Sequence, residues 1–152
     1  MTTVNGIQVG PNSPAIGLRG CRSEDAEGRQ CDDFIARLAG VEGVVQFSQA
    51  QAAQQTRGIP DRRYRLLGFT LWYEVKAEDG KLTPSQHKFL TAELQHGELA
   101  ACGTLEDLQE LVHLLNRPAD AVMRTALAHC TALVGRWAEK GYRREKPMRR
   151  RR

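Results

Sequence analysis

No run of apolar residues in this 152-residue chain approaches the roughly 18 that a membrane-spanning helix needs. Residues 1–20 lack a basic start with an apolar stretch behind it, so they do not read as a secretory leader. No membrane partner is expected, and a cytoplasmic setting is the default. Cysteine is sparse and unpaired. Cys21, Cys31, Cys102 and Cys130 form no C-x-x-C pair, and His87, His96, His113 and His129 are equally scattered. A zinc ribbon or a redox motif is therefore not expected, and the thiols read as reduced and mostly buried. There is no internal repeat, and the length leaves no room for two ordinary domains.

What is present suits one globular domain, with 41% hydrophobic and 26% charged residues. The net charge of +4 is unevenly spread. Residues 143–152 hold seven basic groups and one acid, or +6, which leaves 15 basic and 17 acidic groups, or −2, in the other 142. A slightly acidic body with a cationic arm suits contact with a polyanion; the plainer alternative is a solvated end.

Periodicity and caps divide the chain. Residues 1–20, rich in Gly, Pro, Asn and Ser, read as an irregular lead-in. A helix is expected over 23–39, capped by Ser23, with Glu24, Asp25 and Glu27 in its first turn, Phe34, Ile35 and Leu38 on its apolar face, and Gly40 as its stop. A strand follows at 43–48, then a polar, Gln-rich connection at 49–58. Gly68 splits the next segment into strands at 62–67 and 69–76. In the second, Phe69, Leu71, Tyr73 and Val75 share one face, and Thr70, Trp72, Glu74 and Lys76 the other. A turn at 77–81 leads to a helix with Thr83 as N-cap, Pro84 at its first position and Gln86 closing a capping box. Its buried side carries Phe89, Leu90 and Leu94, and Gly97 ends it. A short strand at 99–102 precedes a third helix, capped by Thr104 and bearing Leu108, Leu111, Val112 and Leu115. After Pro118 a fourth helix is expected over 119–140, with a narrow stripe of Met123, Leu127, Cys130, Val134 and Trp137. The expected class is α/β, a central mixed sheet flanked by helices.

The chemistry-bearing residues lie around Gly68. A two-residue loop at Leu67-Gly68 would set Asp61 directly opposite Glu74, with Cβ atoms roughly 5 Å apart; a three-residue loop would shift this by about one position. Lys76 falls two residues beyond Glu74 on the same face. Two carboxylates so close repel unless a cation lies between them. Magnesium suits such a pair, since it takes oxygen ligands and keeps several waters, and the Val75 carbonyl could add a donor. Lys76 could orient water or offset charge growing on a phosphate. Singly these signals are weak, because Glu-Val-Lys on a strand is ordinarily a salt-bridged surface.

The stretch 57–112 resembles the virus-type replication-repair nuclease domain (VRR-NUC), a branch of the PD-(D/E)XK superfamily. The likeness is carried by Gly58-Ile59-Pro60-Asp61, Glu74-Val75-Lys76, Gly80-Lys81-Leu82 and Thr83-Pro84-Ser85-Gln86, followed by Gly97, a short strand and the leucine-bearing helix after Thr104. The resemblance implies a PD-(D/E)XK restriction-endonuclease-like core at 21–118, an additional helix at 119–140 and a basic tail at 141–152. It implies Asp61, Glu74, Lys76 and Gln86 as catalytic residues, with Asp61, Glu74 and Val75 binding Mg2+ or Mn2+. It also implies an acid on the first helix near the metal. Glu27, three residues before Gln30, is the choice for both roles, with Glu24 as rival. Gln86 has a second explanation in the capping box, and the two roles are compatible.

Arg62 and Arg63 stand where the family more often has apolar residues; two cations there suit a phosphate backbone. Arg57, Lys81 and Lys88 are further DNA-binding candidates, each of which could equally be a plain surface charge. The implied function is metal-dependent endonuclease cleavage of DNA, selected by structure more than by sequence. By analogy the substrate is a four-way junction, then a flap or nicked duplex, and the setting a bacterial or phage-infected cell. A homodimer joined partly through the fourth-helix stripe is expected; the alternative is that the stripe covers the chain's own sheet or third helix. The rival readings are a non-catalytic nucleic-acid-binding module of the same fold and a restriction-type endonuclease subunit.

Overall fold

The computed structural model describes residues 2–4, 7–9, 22–38, 43–46, 57–117 and 120–145. Two short strands, β1 (Thr2–Val4) and β2 (Ile7–Val9), pair antiparallel within the segment expected to be irregular. Helix α1 spans Glu24–Ala36, and the Ser23 hydroxyl accepts from the Ala26 N–H at 3.2 Å, as the cap expectation required. Strand β3 covers Gly43–Gln46 and leads to β4 (Arg62–Leu66) and β5 (Phe69–Val75). Helix α2 (Pro84–Gln95), strand β6 (Leu99–Gly103), helix α3 (Leu105–Leu115) and helix α4 (Val122–Glu139) complete the chain. The expected stop at Gly40, the connection at 49–56, the Pro118 break and most of the basic tail lie outside the described residues.

The result is a mixed α/β fold around a four-stranded sheet of order β3-β4-β5-β6. The first two pairings are antiparallel and β5–β6 is parallel. A parallel neighbour demands a crossover, which α2 supplies. That connection delivers the C-terminal end of β5 to the N-terminus of α2.

The β4–β5 hairpin turns on Leu67 and Gly68, both at positive φ (50° and 80°), as a two-residue turn of the primed class requires. Its register pairs Arg62 with Tyr73 and Leu66 with Phe69, which carries Asp61 opposite Glu74. Alternation then gives the sheet two distinct faces. Tyr64, Leu66, Leu71, Tyr73 and Val75 are buried on the face toward α1 and α3, where the Tyr73 hydroxyl donates to the Thr104 carbonyl at 2.7 Å. The opposite face carries Trp72, Glu74 and Lys76, and α2 lies over it with Phe89 edge-on to Trp72 at 5.3 Å.

Helix α4 packs along β6 and touches both α2 and α3. It buries Ala126, Cys130, Leu133, Val134 and Trp137, and the Trp137 indole N–H donates to Asp107. Each fully buried aliphatic or aromatic side chain of this kind contributes about 1.5–3 kcal/mol. The stripe expected to join two copies is thus spent on the chain's own sheet and helices; of its members only Met123 is exposed. Cys31, Cys102 and Cys130 are buried free thiols, with burial pushing Cys31 and Cys130 up to about 12. Among the described residues no helix is long and apolar enough to cross a membrane.

Candidate active site

The chain reaches Asp61 through a close passage. Gly58, at φ 83°, lies so near the first turn of α2 that a Cβ there would run into the Ser85 carbonyl and the Gln86 N–H. Only glycine lets this loop pass the helix, so Gly58 fixes the distance between Asp61 and α2. The Asp61 N–H then donates to Glu74 Oε2 at 3.1 Å, and the Gln86 amide donates to Glu74 Oε1 at 2.8 Å. Gln86 also accepts from the Thr83 N–H at 2.9 Å while the Thr83 hydroxyl accepts from the Gln86 N–H, so it closes the capping box and holds Glu74 at once.

Lys76 is 1% exposed. Its ammonium lies 3.3 Å from Glu24 Oε1 and 3.5 Å from Glu74 Oε1. Burial, and then the charge of Asp61, push the Glu74 carboxyl up to about 8, against the opposing pull of Lys76. The site thus gathers Asp61, Glu74, Lys76 and Gln86, with Val75 buried between Glu74 and Lys76 in the chain.

Glu27 is placed elsewhere. Its Oε2 accepts from the Leu105 N–H at 2.9 Å and its Oε1 pairs with Arg22 at 3.5 Å, so it serves the N-terminus of α3. The first-helix acid at the site is Glu24. Three residues turn a helix by about 300°, and that offset sends the two acids to different neighbours.

Arg62 is also placed against expectation. Strand alternation turns it to the face opposite Glu74 and Lys76, where it is 9% exposed. Its Nε and terminal amine donate to the two Asp32 oxygens at 3.1 and 3.3 Å, and the Tyr64 hydroxyl donates to Asp32 at 2.6 Å. The remaining guanidinium nitrogen lies 3.8 Å from Asp61 Oδ2. Arg62 is therefore a brace between α1 and Asp61, not a cation offered to solvent. Gly28 makes room for it, since a Cβ there would strike the guanidinium. The pairing joins elements about 30 residues apart, and no sequence spacing marks it.

Arg63 stands over the Trp72 ring at 5.1 Å, on the face that carries the site. Lys81 and Lys88 are exposed, and Arg57 pairs with Glu145 at 3.0 Å. Beside Glu24 a cleft of about 580 Å³ opens, walled by Arg22, Lys81, Tyr142 and Arg143 as well as Asp79.

No family model, curated protein or solved structure matches this chain. The reading of the site therefore rests on its own chemistry. Among the described residues no three His, Cys, Asp or Glu side chains converge as a closed metal cage. Asp61 and Glu74 supply two carboxyl groups close enough for the charge of Asp61 to push Glu74 up, and such a pair fits magnesium or manganese, which need only one or two carboxylates and keep waters.

Proposed function

We propose that this chain is a divalent-cation-dependent DNA endonuclease with a PD-(D/E)XK core. The observation that carries the reading is the convergence of Asp61, Glu74, Lys76 and Gln86 where β5 feeds α2. The motif resemblance over 57–112, carried by the same residues, is in line with it.

In this reading Asp61, Glu74 and the Val75 carbonyl would hold Mg2+ or Mn2+. The ion would draw charge from a phosphate oxygen and acidify water at the site. Gln86 keeps Glu74 oriented through its amide hydrogen bond. Lys76, held by Glu24 and Glu74, presents a buried ammonium that orients the attacking water and offsets charge growing on the phosphate. Lys81 and Arg143 along the cleft steady the sugar-phosphate backbone without reading sequence. Preference for a four-way junction, then a flap or nicked duplex, follows from the resemblance alone, as does a homodimer, for which α4 offers no apolar face.

The test is cleavage of linear, nicked, flapped and four-way DNA by the full chain, with Mg2+ or with chelator, beside Asp61→Ala. The expected result is cation-dependent cutting, strongest on branched DNA and absent in Asp61→Ala. Absence of cutting with either Mg2+ or Mn2+ would overturn it, as would cutting that persists in Asp61→Ala.

A further inference from the structure

The arm that follows α4 folds back across the start of α2. The Lys140 ammonium donates to the Glu78 carbonyl at 2.8 Å, and the Arg143 N–H donates to the Leu82 carbonyl at 2.8 Å. The Tyr142 hydroxyl lies 2.8 Å from His87 Nδ1, with the two rings 5.6 Å apart. The arm delivers Glu145, whose carboxylate accepts from the Ser85 N–H and pairs with the Arg57 guanidinium at 3.0 Å.

The place is significant. Ser85 immediately precedes Gln86, which holds Glu74, and Arg57 opens the loop that ends at Asp61. A backbone N–H at a helix start and a guanidinium converge there on one carboxylate brought from 60 residues away. Such a pair of donors suits any oxyanion, phosphate above all. Hydrogen bonding from Ser85, with help from Arg57, holds the Glu145 carboxyl below its ordinary range. Glu145 is also the one acid in the basic run 143–152.

We propose that Arg57 and the Ser85 N–H form a seat for a phosphodiester of the DNA substrate, and that Glu145 occupies it as an autoinhibitory strap until DNA displaces it. The proposal rests on the nuclease reading and adds to it a position for the backbone beside the scissile phosphate. Displacement exchanges a tethered carboxylate for a phosphate and frees a strongly basic arm to follow the backbone. Because the strap is tethered, it competes at an effective concentration on the order of millimolar. Glu27 gives the contrast, a buried remote carboxylate that accepts from the start of α3 and pairs with the exposed Arg22. If Glu145 were only a cap of that kind, removing its charge would leave DNA binding unchanged.

The test is the affinity of the full chain for fluorescent duplex and four-way DNA in chelator, for wild type, Glu145→Gln, Arg57→Gln and the double variant. Glu145→Gln is expected to bind about tenfold more tightly, and the gain is expected to vanish when Arg57→Gln is present. Equal or weaker binding by Glu145→Gln overturns the proposal, as does the same gain in both backgrounds. If Glu145→Gln fails to fold, Arg57→Gln alone decides. The slope of log affinity against log salt should then fall by about one, and an unchanged slope overturns the seat. Equal binding by wild type and Glu145→Gln removes the strap and leaves the nuclease reading standing; absence of DNA binding by every protein removes both.

Discussion

Two clusters of buried charge lie on opposite faces of one hairpin, and they are balanced differently. On the α1 face, Arg62 meets Asp32 through two hydrogen bonds, and Tyr64 adds a third to the same carboxylate. On the α2 face, Glu74 and Glu24 share a single Lys76, and the Asp61 N–H donates to Glu74. The first cluster gives its carboxylate a guanidinium, whose third nitrogen also lies 3.8 Å from Asp61. The second holds a surplus of carboxylate in a buried setting, and Glu74 answers by keeping its proton to about pH 8. A matched pair braces a fold. A carboxylate surplus is relieved by a proton or a cation, and this supports the proposed role of the second cluster.

The difference is sharpened most by pH. Glu74 is raised in the folded chain from an ordinary 4.5 to about 8. Between those values the folded state holds a proton that the unfolded state has released, so stability falls as pH rises through that window. The loss attributable to this group is on the order of 5 kcal/mol in chelator. Thermal midpoints across pH 5–8.5 should therefore decline more steeply for wild type than for Glu74→Gln, and Mg2+ or Mn2+ should raise the wild-type midpoint more at pH 8 than at pH 6. Parallel curves for the two proteins would mean that the second cluster carries no such tension.

A smaller effect of opposite character is expected on the other face. Arg62→Met removes the cation from the matched cluster and leaves the partly buried Asp32 without its guanidinium. The expected cost is about 2 kcal/mol, at the low side for a broken buried pair because Asp32 is still 26% exposed. Urea unfolding at pH 7 checks it. The loss should be nearly independent of added Mg2+, and an unchanged midpoint of unfolding would show that the brace contributes nothing.

Much of this is legible in the amino-acid sequence alone. The turn at Gly68 left two registers open one position apart, and either brought Asp61 close to Glu74; the structure has the two-residue turn. Thr83, Pro84 and Gln86 announced the helix start that meets them, because caps are local chemistry. The choice between Glu24 and Glu27 was not local: both sit in the first turn of α1, and only the position of α3 decides which acid it takes. The fate of Arg62 follows from strand alternation once Asp61 is placed, but its partner Asp32 comes from a distant helix. The α4 stripe illustrates a general ambiguity, since an apolar helix face looks the same whether it covers its own sheet or a second copy. The β1–β2 pair is too short to leave a periodic signal, and Glu145 reaches α2 only through the tertiary path of the arm.

The central claim is that the unbalanced cluster performs phosphoryl chemistry, and Lys76 is the group through which it is tested most directly. The decisive measurement is the single-turnover cleavage rate of four-way DNA in Mg2+ by wild type and by Lys76→Met, with DNA affinity measured in parallel. Loss of the ammonium should slow cleavage on the order of a hundredfold or more while binding stays within about twofold. An unchanged rate in a folded Lys76→Met protein would contradict the account.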